Sequence, residues 1–137
     1  MAEVVRQIDY YYVTVRNEAG AGFEVLSALK DSGVNLLAYL GFPRTSEQSQ
    51  IDLVPENADA LKRVAGQSGL TLIGPKRAFL IQGDDRTGVV ADLTRRLADA
   101  KINITAAAAT CAGAGRYGMI LWVAPTDYDR AAKVLGA

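Results

Sequence analysis

Apolar residues along this chain recur at two spacings, every second residue and every third to fourth, and glycine, proline or asparagine marks most changes between them. Tyr10–Val15, β-branched and aromatic throughout, reads as a strand. Asn17–Gly22 turns the chain, and Val25, Leu26 and Leu29 form a helical stripe, with Phe23 near its start and Glu24, Lys30 and Asp31 outward. Gly33 supplies the left-handed stop common at helix ends. Leu36–Leu40 and Ile51–Val54 are short apolar strands, and Pro55 with Asn57 opens a second helix that turns Leu61, Val64 and Ala65 inward. Leu70–Ile73 reads as a fourth strand, and Gly74-Pro75 as a boundary.

The pattern then starts again. Phe79–Ile81 is a strand, and Val90, Leu93, Leu97 and Ala100 recur at helical spacing while Asp92, Arg95, Arg96 and Asp99 face water. Ile102–Cys111 contains the alanine run Ala106–Ala109, which favours helix, but its alignment with Leu36–Leu40 and the glycine-rich turn at Ala112–Arg116 argue for a strand. Met119–Val123 follows, and Thr126 with Asp129 is placed to cap a last helix through Leu135.

The two halves align residue by residue. Gly20 and Gly88 are 68 residues apart, and the same offset pairs Leu29 with Leu97, Asp31 with Asp99 and Asn35 with Asn103. Pro55 and Pro125 are 70 apart, as are Asp59 and Asp129, so a two-residue insertion is expected between Asn103 and Tyr117. The expectation is therefore an α+β protein made of a duplicated unit, residues 1–74 and 75–137. Each unit is a ferredoxin-like βαββαβ fold: an antiparallel sheet with two helices on one face. The second unit lacks its own fourth strand, for which Val4–Ile8 is the candidate. Both faces of Tyr10–Val15 are apolar or aromatic, which points to a covered second face and hence to a homodimer.

Composition narrows the chemistry. Half of the 137 residues are apolar, as a cored domain requires. Fifteen basic and fifteen acidic residues give no net charge, so neither nucleic acid nor an anionic membrane is an expected partner. The neutrality is a sum of opposites: residues 1–74 carry 6 basic and 9 acidic groups, residues 75–137 carry 9 and 6. There is no histidine, which removes Ser-His-Asp triads, histidine-ligated metals and imidazole acid–base work. No metal and no cofactor is expected. A lone cysteine, Cys111, and the absence of a signal-like or membrane-spanning apolar run fit a cytoplasmic protein.

Asp85-Arg86-Thr87-Gly88, followed by Ile102-Asn103-Ile104, resembles the ACT domain, a small ligand-binding regulatory module with D-x-P-G after its first strand and G-[IV]-N-[IV] after its first helix. Asn17-Glu18-Ala19-Gly20 and Gly33-Val34-Asn35-Leu36 hold the matching places in the first half. Thr87 and Ala19 stand in place of the proline, Asn17 of the acid and Lys101 of the glycine. The resemblance implies an amino-acid ligand between ACT units and an effect passed to an enzyme or regulator in trans. The candidate ligand-binding residues are Asp85, Arg86, Thr87, Gly88, Asn103 and Ile104, with Asn17, Gly20, Asn35 and Leu36 in the first half. Physical chemistry agrees. A glycine before a helix admits close approach to the backbone, the first-turn amides and helix dipole favour a carboxylate, and Asp85 suits an ammonium group.

Plainer roles compete with these. Asp84, Asp85 and Thr87 can serve as helix caps, Asn35 and Asn103 as turn residues, and Ala106–Ala109 as packing against another layer. An alternative function is a dimerisation scaffold that binds no ligand. A small ferredoxin-like enzyme using Asp84, Asp85 and Arg86 is a weaker one, since no acid–base pair is evident, and the protein is expected not to be an enzyme.

Overall fold

The computed structural model describes residues 3–137. The order of elements is β1 (Val4–Arg16), α1 (Ala21–Asp31), β2 (Leu36–Pro43), β3 (Gln48–Pro55), α2 (Ala58–Ser68), β4 (Ile73–Asp84), α3 (Val89–Asp99), β5 (Ile104–Gly113), β6 (Arg116–Val123) and α4 (Tyr128–Leu135), with a 3-10 turn at Pro125–Asp127. This is the expected α+β architecture of two ferredoxin-like units. The alanine run is indeed extended, as part of β5.

The chain divides into two compact units, Asp9–Lys76 and Arg77–Ala137, and Val4–Ile8 groups with the latter. In the first unit the sheet runs Ile73–Lys76 of β4, then β1 from Asp9, β3 and β2. In the second it runs Val4–Ile8 of β1, then β4 from Arg77, β6 and β5. β1 and β4 are thus long strands, 13 and 12 residues, each serving a different unit with each of its halves. The expected strand Leu70–Ile73 is corrected by this: only Ile73 of it is extended, and β4 passes through Gly74-Pro75 without a break. Gly83 lies against the start of the chain, where an added Cβ would be 3.5 Å from Glu3 Cα.

Strand register shows the duplication in detail. β1 pairs with β3 from Tyr11↔Leu53 to Arg16↔Gln48, and β4 pairs with β6 from Phe79↔Leu121 to Asp84↔Arg116, a constant shift of 68 residues. Even the bulge repeats, between Leu36 and Ala38 in β2 and between Ile104 and Ala106 in β5. The offset of 68 therefore holds to the end of β6. The two-residue insertion lies after Val123, in the turn that leads into α4, and not between Asn103 and Tyr117.

Each unit has its own core on one face of its strands. Tyr11, Val13, Ile51 and Leu53 pack with Val25 and Leu29 of α1 and Leu61 and Val64 of α2. Phe79, Ile81, Met119 and Leu121 pack with Leu93 and Leu97 of α3 and Tyr128, Ala131 and Leu135 of α4. That both helices meet the same strand residues places them on one face, as period-two alternation dictates. Tyr128 stacks on Phe79 with ring centroids 4.4 Å apart and donates from its hydroxyl to Ala78 O at 2.8 Å. Helix ends follow local chemistry unevenly. Asn57 Oδ1 accepts from Ala60 N and caps α2, but α4 begins at Asp127 without a side-chain cap, so Thr126 and Asp129 do not fill that role.

Candidate functional site

The loops that follow β1 and β4 are built alike. Asn17 N donates to Glu47 O and Asp85 N to Gly115 O, both at 2.8 Å, so each loop is hung from the neighbouring hairpin. Each then reaches its helix through a glycine in the left-handed region, Gly20 at φ 89° and Gly88 at φ 81°. A side chain there would be strained by its backbone alone, although an added Cβ at either position meets nothing within 4 Å. Neither α1 nor α3 has a side-chain cap, which corrects the plainer reading of Asp84, Asp85 and Thr87 as caps.

In the second unit the loop side chains hold one another. Asp84 pairs with Arg116 at 2.8 Å and Arg86 with Asp92 at 2.6 Å. Cys111 Sγ donates to Asp85 Oδ2 at 2.7 Å, and that carboxylate, with some burial, pushes the thiol's pKa up. Cys111 is exposed and little ionised, hence a poor nucleophile. Thr87 is exposed. Ala106–Ala109 are exposed as well, so they pack against no layer of their own unit.

Asn103 and Ile104 lie far from this loop. Ile104 is level with Val123, whereas Asp84 is level with Arg116, seven residues along β6. At roughly 3.3 Å per residue the two ends are about 23 Å apart. The first unit separates Asn35 and Leu36 from Asn17 and Gly20 in the same way. Asn35 Nδ2 donates to Glu56 Oε2 at 2.8 Å and Glu56 N to Asn35 O at 2.9 Å, which ties the helix exit to the end of β3. Asn103 is exposed at the corresponding place.

An open pocket of about 260 Å³ lies beside the first unit's loop, lined by Val15, Arg16, Asn17, Glu18, Gly22, Tyr39, Gly41, Phe42, Pro43, Ser49 and Ile51. Its volume is a little below the roughly 300–1,000 Å³ typical of drug-sized ligands, which suits a smaller molecule. Of the residues expected to bind, only Asn17 lines it. Asn17 is fixed by Ser49 Oγ, which donates to Oδ1 at 3.0 Å, and by its own Nδ2, which donates to Ser46 O at 3.4 Å. Arg16 and Glu18 form an exposed ion pair at the rim, 2.9 Å apart. Tyr39 pairs with Leu53 and Gly41 with Ile51, so both stand on the helix side of β2. The Tyr39 hydroxyl would be 3.0 Å from a Cβ at Gly41 and 3.8 Å from one at Gly22.

Gly22 is informative because the fold does not require it. It sits in the first turn of α1, and an added Cβ would meet Ile51 Cδ1 at an ordinary 3.4 Å. Within a helix, glycine costs about 1 kcal/mol relative to alanine. Under the offset of 68 the second unit carries Val90 at this place, and Tyr117 in place of Ser49. Tyr117 is buried at 4 % exposure, its ring edge lies 2.9 Å from a Cβ built on Gly83, and its hydroxyl donates to Glu3 Oε2 at 3.0 Å. Burial, then the Glu3 carboxylate, pushes its pKa up to about 12. The pocket residues other than Asn17 escaped the sequence reading for a definite reason. An insertion placed before Tyr117 hides its correspondence with Ser49, and Gly22 reads more readily as a turn glycine than as a ligand cradle.

Among the described residues no cluster of three or more His, Cys, Asp or Glu is arranged to hold a metal ion, and no helix is long and apolar enough to cross a membrane. Residues 78–137 match the family model described as the ACT domain. No curated protein sequence matches the chain. Among solved structures, a protein of Bacteroides thetaiotaomicron, BT0572, superposes with a TM-score of 0.83 at 13 % identity, covering 96 % of this chain and 88 % of its own. The ligand-free regulatory subunit of aspartate kinase from Thermus thermophilus gives 0.65 at 16 % identity, with 99 % and 95 % covered, and that from Thermus flavus 0.61 at 18 %, with 99 % and 95 %. At such identities these structures share the fold alone. Residues 78–137 thus match the ACT domain by their own sequence, and the first unit repeats the strand register of that segment residue for residue.

Proposed function

We propose that this protein is a regulatory module that binds an amino acid and passes the effect to an enzyme or regulator in trans or to its own oligomeric state. The observation that carries the reading is the open pocket beside the β1–α1 loop, where Asn17 and Glu18 of the loop and Gly22 in the first turn of α1 meet a wall of mixed polarity. The aspartate kinase regulatory subunits have the same fold, which supports a role in regulation. The loop of the second unit, with Asp85, Arg86, Thr87 and Gly88, is the weaker candidate, since its charged groups already pair with one another. Asn103, Ile104, Asn35 and Leu36 are not assigned to the same ligand as the loop of their own unit, because of the 23 Å estimated above.

A homodimer is part of the proposal. β5 ends the strand order, is exposed along nine of its ten residues and carries no charged side chain, as an edge strand kept for pairing would. A thermal-shift panel of the twenty amino acids, with nucleotides as controls, tests the ligand reading. A ligand at 100 times its Kd stabilises by about 2.7 kcal/mol, a clear rise in Tm. A flat response at millimolar concentration would overturn it and leave the scaffold reading.

A further inference from the structure

We infer, resting on the homodimer reading above, that two copies of this chain meet through unlike edges, β2 of one copy lying along β5 of the other.

Both strands are open to pairing. β2 and β5 stand at the two ends of the strand order, and neither contains a charged residue. Edge strands that must stay single are guarded by charge, proline or bulges. Here the bulges lie at Leu36/Ala38, Ile104/Ala106 and Cys111/Gly113, and Pro43 ends β2. Residues 38–42 and 106–111 are therefore regular strand without a guard.

The two edges differ in bulk. On β2, Leu37, Tyr39 and Phe42 are large apolar residues left exposed. Phe23 of α1, next to the Gly22 that the Tyr39 hydroxyl approaches, is 71 % exposed. Under the offset of 68 the second unit carries Thr105, Ala107, Thr110 and Ala91 at these places. Side chains of paired strands lie opposite one another on each face. One β5 against another would set alanine against alanine and bury little, whereas β2 lays its large side chains over the alanines. A two-fold pair makes this unlike contact twice and covers β2 and β5 of both copies, while one contact between like edges leaves the other edge bare.

Charge separates the alternatives further. The unit Asp9–Lys76 holds six basic and eight acidic residues, a net −2, and the rest of the chain nine and seven, a net +2. Unlike units attract and like units repel, which favours the first encounter and disfavours the second.

Cysteine cross-linking tests the pairing. Cys111 is the chain's one cysteine and is exposed on β5, so the wild-type protein reports on that edge. Leu37→Cys combined with Cys111→Ser reports on β2. With a short bismaleimide, each protein alone is expected to remain a single chain, and their mixture to yield a covalent pair holding one of each. Should the Leu37→Cys protein fail to fold, sedimentation of Tyr39→Lys and Ala107→Lys carries the test. Each is expected to weaken the dimer about tenfold or more, because each edge takes part in both contacts. A covalent pair from either cysteine protein alone, or weakening in only one lysine variant, would overturn the inference and leave the homodimer standing. So would a dimer that neither cross-links in the mixture nor responds to either lysine. A wild-type protein that sediments as a monomer would overturn both.

Discussion

Position 49 in the first unit and position 117 in the second hold the same place, each opposite the last inward residue of the neighbouring strand, Val15 and Gly83. One is a serine beside an open pocket, the other a tyrosine whose ring lies over a glycine. Across the sheet the bulk is reversed, with Tyr39 on β2 where β5 has Ala107, and Gly22 on α1 where α3 has Val90. The lesson is that an identical hydrogen-bond register leaves the interior free to be filled or left open. Two or three side-chain volumes settle whether the space at this place is filled, and the backbone does not.

The comparison can be broken most forcefully at Tyr117. Removing a buried aromatic ring costs roughly 3–5 kcal/mol, so Tyr117→Ala is expected to lower urea stability by that order, while Ser49→Ala is expected to cost about 1 kcal/mol or less. Equal losses would mean that the two places are not differently packed. Tyr117→Phe isolates the hydroxyl. The folded protein holds the phenol's proton up to about 12 against an ordinary value of 10.0. A raised pKa gives stability that is complete below pH 10 and lost as pH climbs through 12, so wild type is expected to weaken over that window more than Tyr117→Phe.

A smaller contrast lies at the second helix of each unit. Asn57→Ala removes the bond to Ala60 N and is expected to cost about 1 kcal/mol. Asp127→Ala removes no cap and only an ion pair with Arg130, partly exposed, and is expected to cost less than half as much in the same denaturation assay. The smallest effect belongs to the exits of α1 and α3. Gly33 at φ 71° and Lys101 at φ 59° share the left-handed conformation, which burdens lysine and not glycine. Lys101→Gly relieves that strain but frees the unfolded chain, for a net gain of a few tenths to about 1 kcal/mol. A loss of stability would show that the lysine side chain does more than fill the turn.

Much of the fold was legible in the sequence because its signals are local. Val25 and Leu29, Leu93 and Leu97, and the glycines at 20, 33 and 88 announce their helices and turns by spacing and backbone preference. Ala106–Ala109 was legible only through its repeat and the glycine-rich turn that follows, since its own propensity favours helix and pairing with β6 overrides it. The division of β1 and β4 between units was partly hidden, because a long strand gives no local sign of where its neighbours change. Asp52 shows the same limit. It is the one acid in the short apolar strand Ile51–Val54, and it is 5 % exposed, accepts from Gln50 Nε2 at 2.8 Å, and burial pushes its pKa up, against the lowering pull of Gln50 and Lys76.

By itself the sequence determined that the chain is duplicated, that each half is an α+β unit, and that histidine chemistry has no place in it. Periodicity, turn residues and composition carry those facts within a few residues of one another. Only the tertiary structure decided that Gly22, Tyr39 and Ile51 meet around a cavity, and that Asn35 and Asn103 stand far from their loops. Those are contacts between residues distant in the chain, and their outcome rests on register and on the volume of side chains that no local pattern brings together.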